Sequence, residues 1–182
     1  MNRDEFFKRP TSKSDWTDDV LAGRDQEPGR EGGTWLGINS KGCIGFLTNI
    51  YAGKHQSGAG RGFLVIDYLR GGSSGSKAKD YLTTLSLSDT VYSPFNLMLL
   101  EPVNDHYSIH YYCKGHPNCV VNESIGPHKL EPGFHSISNH PKDQPYRKTQ
   151  YGHDRFSEIV TNSDDSRDEM IERLFELMKV KT

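Results

Sequence analysis

Residues 32–49 read GGTWLGINSKGCIGFLTN, and their pattern decides the fold class. Two short apolar runs, Thr34 to Asn39 and Cys43 to Thr48, flank Ser40-Lys41-Gly42. Runs of strand length on either side of a turn whose glycine can take positive φ read as a β-hairpin. The pattern recurs downstream. FNLMLLE (95–101) and YSIHYYC (107–113) are separated by Asn104-Asp105, a second hairpin turn. In the later strand Tyr107, Ile109, Tyr111 and Cys113 fall on one face, and Ser108, His110 and Tyr112 on the other, as a period of two requires. FHSIS (134–138) reads as one further short strand.

Helical signals surround these hairpins. RGFLVIDYLR (61–70) is apolar at loosely helical spacing, and SKAKDYLTTL (76–85) places Ala78, Tyr81, Leu82 and Leu85 at i, i+3, i+4 and i+7. GGSSGS (71–76) between them is a flexible link too short to separate domains. Near the C-terminus Ser166 and Glu169 form a capping-box pattern. Met170, Ile171, Leu174, Phe175, Leu177 and Met178 follow as an apolar stripe, the mark of a helix that packs on a core. Thr11 to Gly33 is polar, punctuated by Pro28-Gly29, and reads as a long irregular loop. Hairpins alternating with helices predict an α+β fold of antiparallel sheets with packed helices. Residues 33–49 and 94–113 are expected in one sheet, with the 166–180 helix packed against it.

Composition narrows the function classes. The 182 residues suit one domain, with 34% hydrophobic and 25% charged side chains. A net charge of -2 offers no basic surplus for nucleic acid or an anionic membrane. No apolar run approaches the ~20 residues of a bilayer span, so no transmembrane segment is expected. The N-terminus lacks a signal-peptide layout. Three cysteines, Cys43, Cys113 and Cys119, are an odd number that suggests no disulfide framework and a reducing, intracellular setting. SGAGRGF (57–63) is not a dinucleotide fingerprint, because Phe63 stands where the third glycine belongs, and no Gly-Lys-Ser/Thr follows for a P-loop. CKGHPNC (113–119) spaces Cys113, His116 and Cys119 as a soft site for zinc or an axial haem ligand. A structural zinc site wants four ligands and none completes the set nearby in sequence; the alternative is Cys113 buried in its strand. No metal site is expected.

A series of motifs runs through the chain in fixed order: NRDE (2–5) followed by Arg9-Pro10, GGTWLGI (32–38), LTN (47–49), GRG (60–62), FNL (95–97) and SN (138–139). That series resembles the NRDE-motif family, whose animal members are the transport and Golgi organization 2 proteins. Relatives look like cysteine N-terminal-nucleophile hydrolases of αββα architecture, which carry a Met-Cys start and a strand before the NRDE motif, and further strands after the last helix seen here. The resemblance therefore implies a single NRDE-type domain over residues 1–182, incomplete at both ends.

The same resemblance assigns residues. Asn2, Arg3, Asp4, Glu5, Gly33, Thr34 and Trp35 carry the motif. Asp4, Asn49 and Asn139 match positions that in hydrolase-like members line the nucleophile and the oxyanion position, a carboxylate orienting the α-amine and amides meeting negative charge. Residue 2 is Asn and the cysteines are internal, so these residues read as remnants, and no amidohydrolase activity is expected. The alternative is that NRDE is a structural network at a strand end, Asp4 and Glu5 pairing Arg3 or Arg9. The function implied is intracellular trafficking: Golgi and secretory organisation and haem transport, in the cytoplasm and associated with Golgi or mitochondria through organelle proteins. No cofactor is firmly implied; haem enters as a transported ligand. It would bind reversibly, for want of a C-x-x-C-H motif, with Trp35 as an apolar face and Arg3 or Arg9 meeting the propionates. The competing reading, which the residue type favours, is that Trp35 is a core aromatic filling the sheet–helix interface.

Overall fold

The computed structural model describes residues 11–51, 58–71, 77–117, 119, 126–162 and 164–180. The NRDE residues Asn2, Arg3, Asp4 and Glu5, with Arg9, lie outside them. Seven strands form one antiparallel sheet in sequential order: β1 (Asp15–Thr17), β2 (Val20–Ala22), β3 (Leu36–Asn39), β4 (Ile44–Asn49), β5 (Phe95–Val103), β6 (His106–Lys114) and β7 (His128–Leu130). Helices α1 (Gly62–Leu69) and α2 (Ala78–Leu87) intervene between β4 and β5, and α3 (Arg147–Thr161) and α4 (Arg167–Lys179) close the order. The architecture is α+β, as the alternation of hairpins and helices predicts.

The first hairpin is fixed by its turn. Gly42 takes φ +81°, and the Asn39 Oδ1 accepts the N–H groups of Lys41 (3.1 Å) and Cys43 (2.9 Å). The same side chain reaches out, its Nδ2 donating to the Leu69 carbonyl at 2.9 Å, which ties the hairpin to the end of α1. Gly37 and Gly45 face each other across β3 and β4 and form the floor on which α1 rests. A Cβ at Gly37 would stand 2.8 Å from a Leu69 methyl, and one at Gly45 3.1 Å from a Val65 methyl. Glycine inside a strand marks such close approach.

The sheet is covered on both faces. Val20, Leu47, Phe95, Leu97, Leu99 and Tyr112 pack beneath α1 and α2 with Leu64, Val65 and Leu82. Met98, Tyr111, Cys113, Ile50, Cys119 and Leu130 make a second cluster on the other face, joined by Phe46 and Ile137. Leu97 to Leu100 of β5 therefore form a continuous apolar run, the pattern of a strand buried on both sides.

Several expectations are corrected. The stretch from Thr11 to Gly33 is not wholly irregular: it holds the β1–β2 hairpin, whose two-residue turn, Asp18-Asp19, has φ 50° and 64°. FHSIS is not a strand; the last strand is His128–Leu130, paired with Ile109 to Tyr111. α3 was not signalled by the sequence pattern. The 166–180 helix exists, and its capping box is formed: Glu169 N–H donates to Ser166 Oγ at 3.3 Å, and Ser166 N–H to Glu169 Oε2 at 2.8 Å. It packs chiefly on α3 rather than on the sheet, no residue of it is fully buried, and Phe175 and Met178 stay 59% and 80% exposed. The cysteines are not all free either. Cys113 is disulfide-bonded to Cys119, and Cys43 is free.

Candidate functional site

Five of the quoted motifs meet at one end of the sheet, on both of its faces. On the helix face, Thr34 N–H donates to the Gly62 carbonyl at 3.1 Å, so GGTW and GRG touch backbone to backbone. A Cβ at Gly62 would lie 3.1 Å from Gly33 Cα and from Thr34 N, so any side chain there would push the two backbones apart. Thr34 Oγ1 donates to the Gly23 carbonyl at 2.6 Å, drawing in the preceding loop. Trp35 offers its carbonyl to Leu47 N–H at 2.8 Å, linking GGTW to LTN. Arg61 Nη1 donates to the Pro94 carbonyl at 2.8 Å, which anchors GRG beside the start of β5.

These contacts surround a pocket of about 20 Å³ lined by Asp25, Arg30, Trp35, Asn49, Gly60, Arg61, Gly62 and Phe63. That volume suits about one water molecule. Asp25 is buried there and accepts the Glu27 N–H through Oδ1 at 3.0 Å. Asn49 contributes the one unusual atom: its Oδ1 is buried with no hydrogen-bond partner among the described residues. A buried acceptor left unpaired costs about 1–3 kcal/mol, so its retention in this pocket is a pointer to function.

On the opposite face the same strand ends hold the 138–142 segment. Thr48 Oγ1 donates to the Ser138 carbonyl at 2.6 Å. Asn96, 1% exposed, brings Nδ2 within 3.1 Å of Thr48 Oγ1, the Ser138 carbonyl and the His140 carbonyl. Tyr111 OH donates to Asn96 Oδ1 at 2.6 Å and accepts Lys142 N–H at 3.2 Å. Burial pushes the Tyr111 phenol up to about 12, so it stays a donor at any physiological pH. Asn139 Nδ2 donates to the Asn49 carbonyl at 2.8 Å, and its own carbonyl accepts Tyr51 N–H at 3.1 Å. LTN, FNL and SN are thus one hydrogen-bonded unit.

The sequence-derived residues divide accordingly. Gly33, Thr34, Trp35, Asn49 and Asn139 come together; Asp4, with Asn2, Arg3, Glu5 and Arg9, lies outside the described residues. Asn139 spends an amide hydrogen on the Asn49 backbone, so it serves as a staple of the strand end. Trp35 is half-buried, packs on the helix-face core and also lines the pocket. Leu36, its neighbour, is 61% exposed. Sequence reasoning missed Asp25 and Arg30, which lie in the stretch taken for a loop, and Tyr111, which was assigned to a strand face with no polar role. Asn96 was visible as the one amide inside FNLMLL, and a buried amide must find partners.

A separate cluster lies along the sheet, away from that end. Ser108 Oγ is 3.0 Å from His110 Nε2, and Glu101 Oε2 is 3.9 Å from the same nitrogen. A catalytic triad needs the carboxylate on the other ring nitrogen, so this is no nucleophile system. Glu101 Oε1 instead accepts Ala78 N–H at 2.8 Å, capping α2. Burial holds the His110 pKa below its ordinary value, with Glu101 opposing and Lys129 and Lys79 reinforcing the shift.

Comparison with known proteins places the whole chain. The family model described as Transport and Golgi organisation 2 matches residues 1–182. A human relative named Transport and Golgi organization protein 2 homolog is 34% identical over 168 residues, which are 89% of this chain and 57% of that protein. The mouse homolog is 32% identical over 169 residues, 90% of this chain and 57% of its own length. The Drosophila melanogaster protein named Transport and Golgi organization protein 2 is 35% identical over 170 residues, 87% and 57% of the two. The chain spans a little over half the length of these relatives.

Proposed function

Because the chain belongs to the transport and Golgi organisation 2 family, we propose that it is a trafficking protein, acting in Golgi and secretory organisation and carrying haem as a reversibly bound cargo. Its place of work in this reading is the cytoplasm, at the surface of Golgi or mitochondria. No helix among the described residues is long and apolar enough to cross a membrane, so organelle association would run through partner proteins. The observation that carries the reading is the convergence of GGTW, LTN, GRG, FNL and SN at one end of the sheet. That convergence gathers the two features a tetrapyrrole asks for, an aromatic surface in Trp35 and Phe63 and a cation in Arg30.

The pocket's size shapes the proposal. At about 20 Å³ it holds no tetrapyrrole, so haem would lie across its mouth against Trp35 and Phe63, with propionates toward Arg30 and toward Arg3 or Arg9. Such an open mode favours exchange over retention, as a carrier requires.

Haemin titration followed by visible absorbance and tryptophan fluorescence tests it. A Trp16→Phe background leaves Trp35 as the reporter. The expected result is saturable, reversible binding of modest affinity with quenching of Trp35, weakened in Arg30→Ala and in an Arg3→Ala, Arg9→Ala double variant. Absence of saturable binding would remove haem from the reading. Binding without Trp35 quenching would move the cargo away from this end of the sheet.

A further inference from the structure

The Cys113–Cys119 disulfide closes a short turn containing His116, and the fold lays a second imidazole against it. His140 sits in the segment held by Asn96, whose Nδ2 donates to the His140 carbonyl at 2.9 Å. Asn96 is the cross-strand partner of Cys113, and side chains of paired residues share one face of a sheet. The route that delivers His140 therefore ends beside Cys113. The two imidazoles lie with ring centroids 5.6 Å apart. The His140 Nδ1 is buried and has no hydrogen-bond partner among the described residues.

We propose that, with the disulfide reduced, Cys113, Cys119, His116 and His140 form a Cys₂His₂ zinc site, so that this turn exists in two forms, disulfide and zinc-bound. The spacing of the imidazole pair is close to what a tetrahedral ion needs. With Zn–N near 2.0–2.1 Å, two imidazoles on one zinc hold their centroids about 5 Å apart. The Cys113, His116, Cys119 spacing is short enough to wrap one ion, and Gly115 at φ +85° together with the Cys119 N–H bond to the His116 carbonyl (3.0 Å) makes the turn tight. The fourth ligand is distant in sequence and near in space. No three ligating side chains are gathered for a metal among the described residues, so the site is one that reduction has to assemble.

The chemistry balances with a dithiol as reductant. Two electrons and two protons pass to the sulfurs, the S–S bond breaks, and the dithiol closes to its own disulfide. Zinc then takes the two sulfurs as thiolates and displaces two protons, which makes its affinity rise with pH. Soft thiolate with imidazole is a donor set that suits zinc in four-coordinate geometry. The inference is independent of the haem reading, and its site lies on the face opposite the pocket lined by Trp35.

The test uses the full chain, once oxidised and once reduced with a phosphine that is then removed, titrated with zinc against a chromophoric chelator. Cobalt serves as a spectroscopic stand-in on the unaltered chain. One zinc per reduced chain and none per oxidised chain is expected. The cobalt form should show thiolate-to-metal charge transfer and a tetrahedral ligand-field band. His140→Ala and His116→Ala should each weaken zinc at least tenfold, and Cys119→Ser should remove tight binding. His140→Ala breaks no side-chain hydrogen bond at Nδ1, and circular dichroism checks that both histidine variants fold. Equal zinc uptake by oxidised and reduced chain, a cobalt spectrum without thiolate charge transfer, or undiminished affinity in both histidine variants would each overturn the proposal. The cobalt spectrum alone decides it should a variant fail to fold.

Discussion

The sheet under α1 and α2 and the α3–α4 hairpin are both built from amphipathic sequence, and they resolve it in opposite ways. Phe95, Leu97, Leu99, Val65 and Leu82 are fully buried among themselves, with the two glycines of β3 and β4 cut down to let α1 approach. In the helical hairpin Ile159 is the one fully buried residue among those described, and α4 has none. Ion pairs hold its connection instead: Arg173 of α4 meets Asp165 in the connection and Glu158 of α3. Pairs at the surface contribute about 0–1 kcal/mol each, whereas burying one large apolar side chain contributes about 1.5–3 kcal/mol. A periodic apolar stripe shows which face of a helix is available for packing; the rest of the fold decides whether anything meets it.

The largest effect that separates the regions comes from deleting an aromatic ring in each. Phe95→Ala, at 0% exposure, should cost about 3–5 kcal/mol through lost transfer energy and a cavity. Phe175→Ala, at 59% exposure, should stay within about 0.5 kcal/mol. Urea denaturation followed by far-ultraviolet circular dichroism measures both. Comparable losses would show that α4 is covered in solution and would end the contrast.

Adding one methyl group sharpens it further, because the sign should reverse. Gly37→Ala places a Cβ 2.8 Å from Leu69 and 3.2 Å from Ala22, and overpacking of that kind costs about 1–3 kcal/mol. Gly152 lies inside α3 with nothing within 4 Å of an added Cβ. There Gly→Ala should stabilise by about 0.5–1 kcal/mol, since it lowers the chain entropy lost on forming a helix. Shifts of the denaturation midpoint in opposite directions are the expected outcome; stabilisation at both would mean that α1 does not rest on the glycine floor, and destabilisation at both that the Gly152 face of α3 is covered.

The contrast also governs what the sequence could disclose. The two long hairpins were readable because turn chemistry and alternation are local, and Gly42 and Asn104 take the positive φ their turns demand. The capping box of α4 was readable for the same reason. α3 was not: it carries Gly152, its N-cap Tyr146 makes no side-chain cap bond, and its single deeply buried residue is Ile159. The β1–β2 turn was missed because Asp18-Asp19 reaches positive φ without a glycine. At the site, the motifs named Asn49, Asn139 and Trp35 but not the contacts that join them. Those contacts cross 90 residues from Thr48 to Ser138 and from Asn49 to Asn139, and no local pattern carries such a pairing. His140 as the neighbour of His116 belongs to that category too.

The smallest expected effect is on acid stability, and it assigns each region its own pH window. His110 on the sheet has a folded pKa below its ordinary 6.5, chiefly because burial disfavours the charged ring. Below pH 6.5 the unfolded chain takes up a proton that the folded chain resists, so stability is lost as pH falls from there through the folded pKa. The facing groups modulate the size: Glu101 opposes the shift, and Lys129 and Lys79 add to it. Glu169 at the start of α4 has a folded pKa below its ordinary 4.5, because Ser166 donates to its carboxylate from side chain and backbone. The same sign applies at lower pH. The unfolded carboxyl protonates near 4.5 while the folded one stays ionised, so the cap's contribution is present above pH 4.5 and fades below it. Amide exchange measured at residue resolution across pH 7 to 4 should therefore show the β5–β6 pair loosening first and the α4 N-terminus later. His110→Gln should flatten the upper step and leave the lower one, and Ser166→Ala should do the reverse. If His110→Gln leaves the upper step unchanged, another group governs acid loosening of the sheet. If both steps move together in either variant, the sheet and the helical hairpin unfold as one unit, and the distinction between them is one of packing but not of cooperativity.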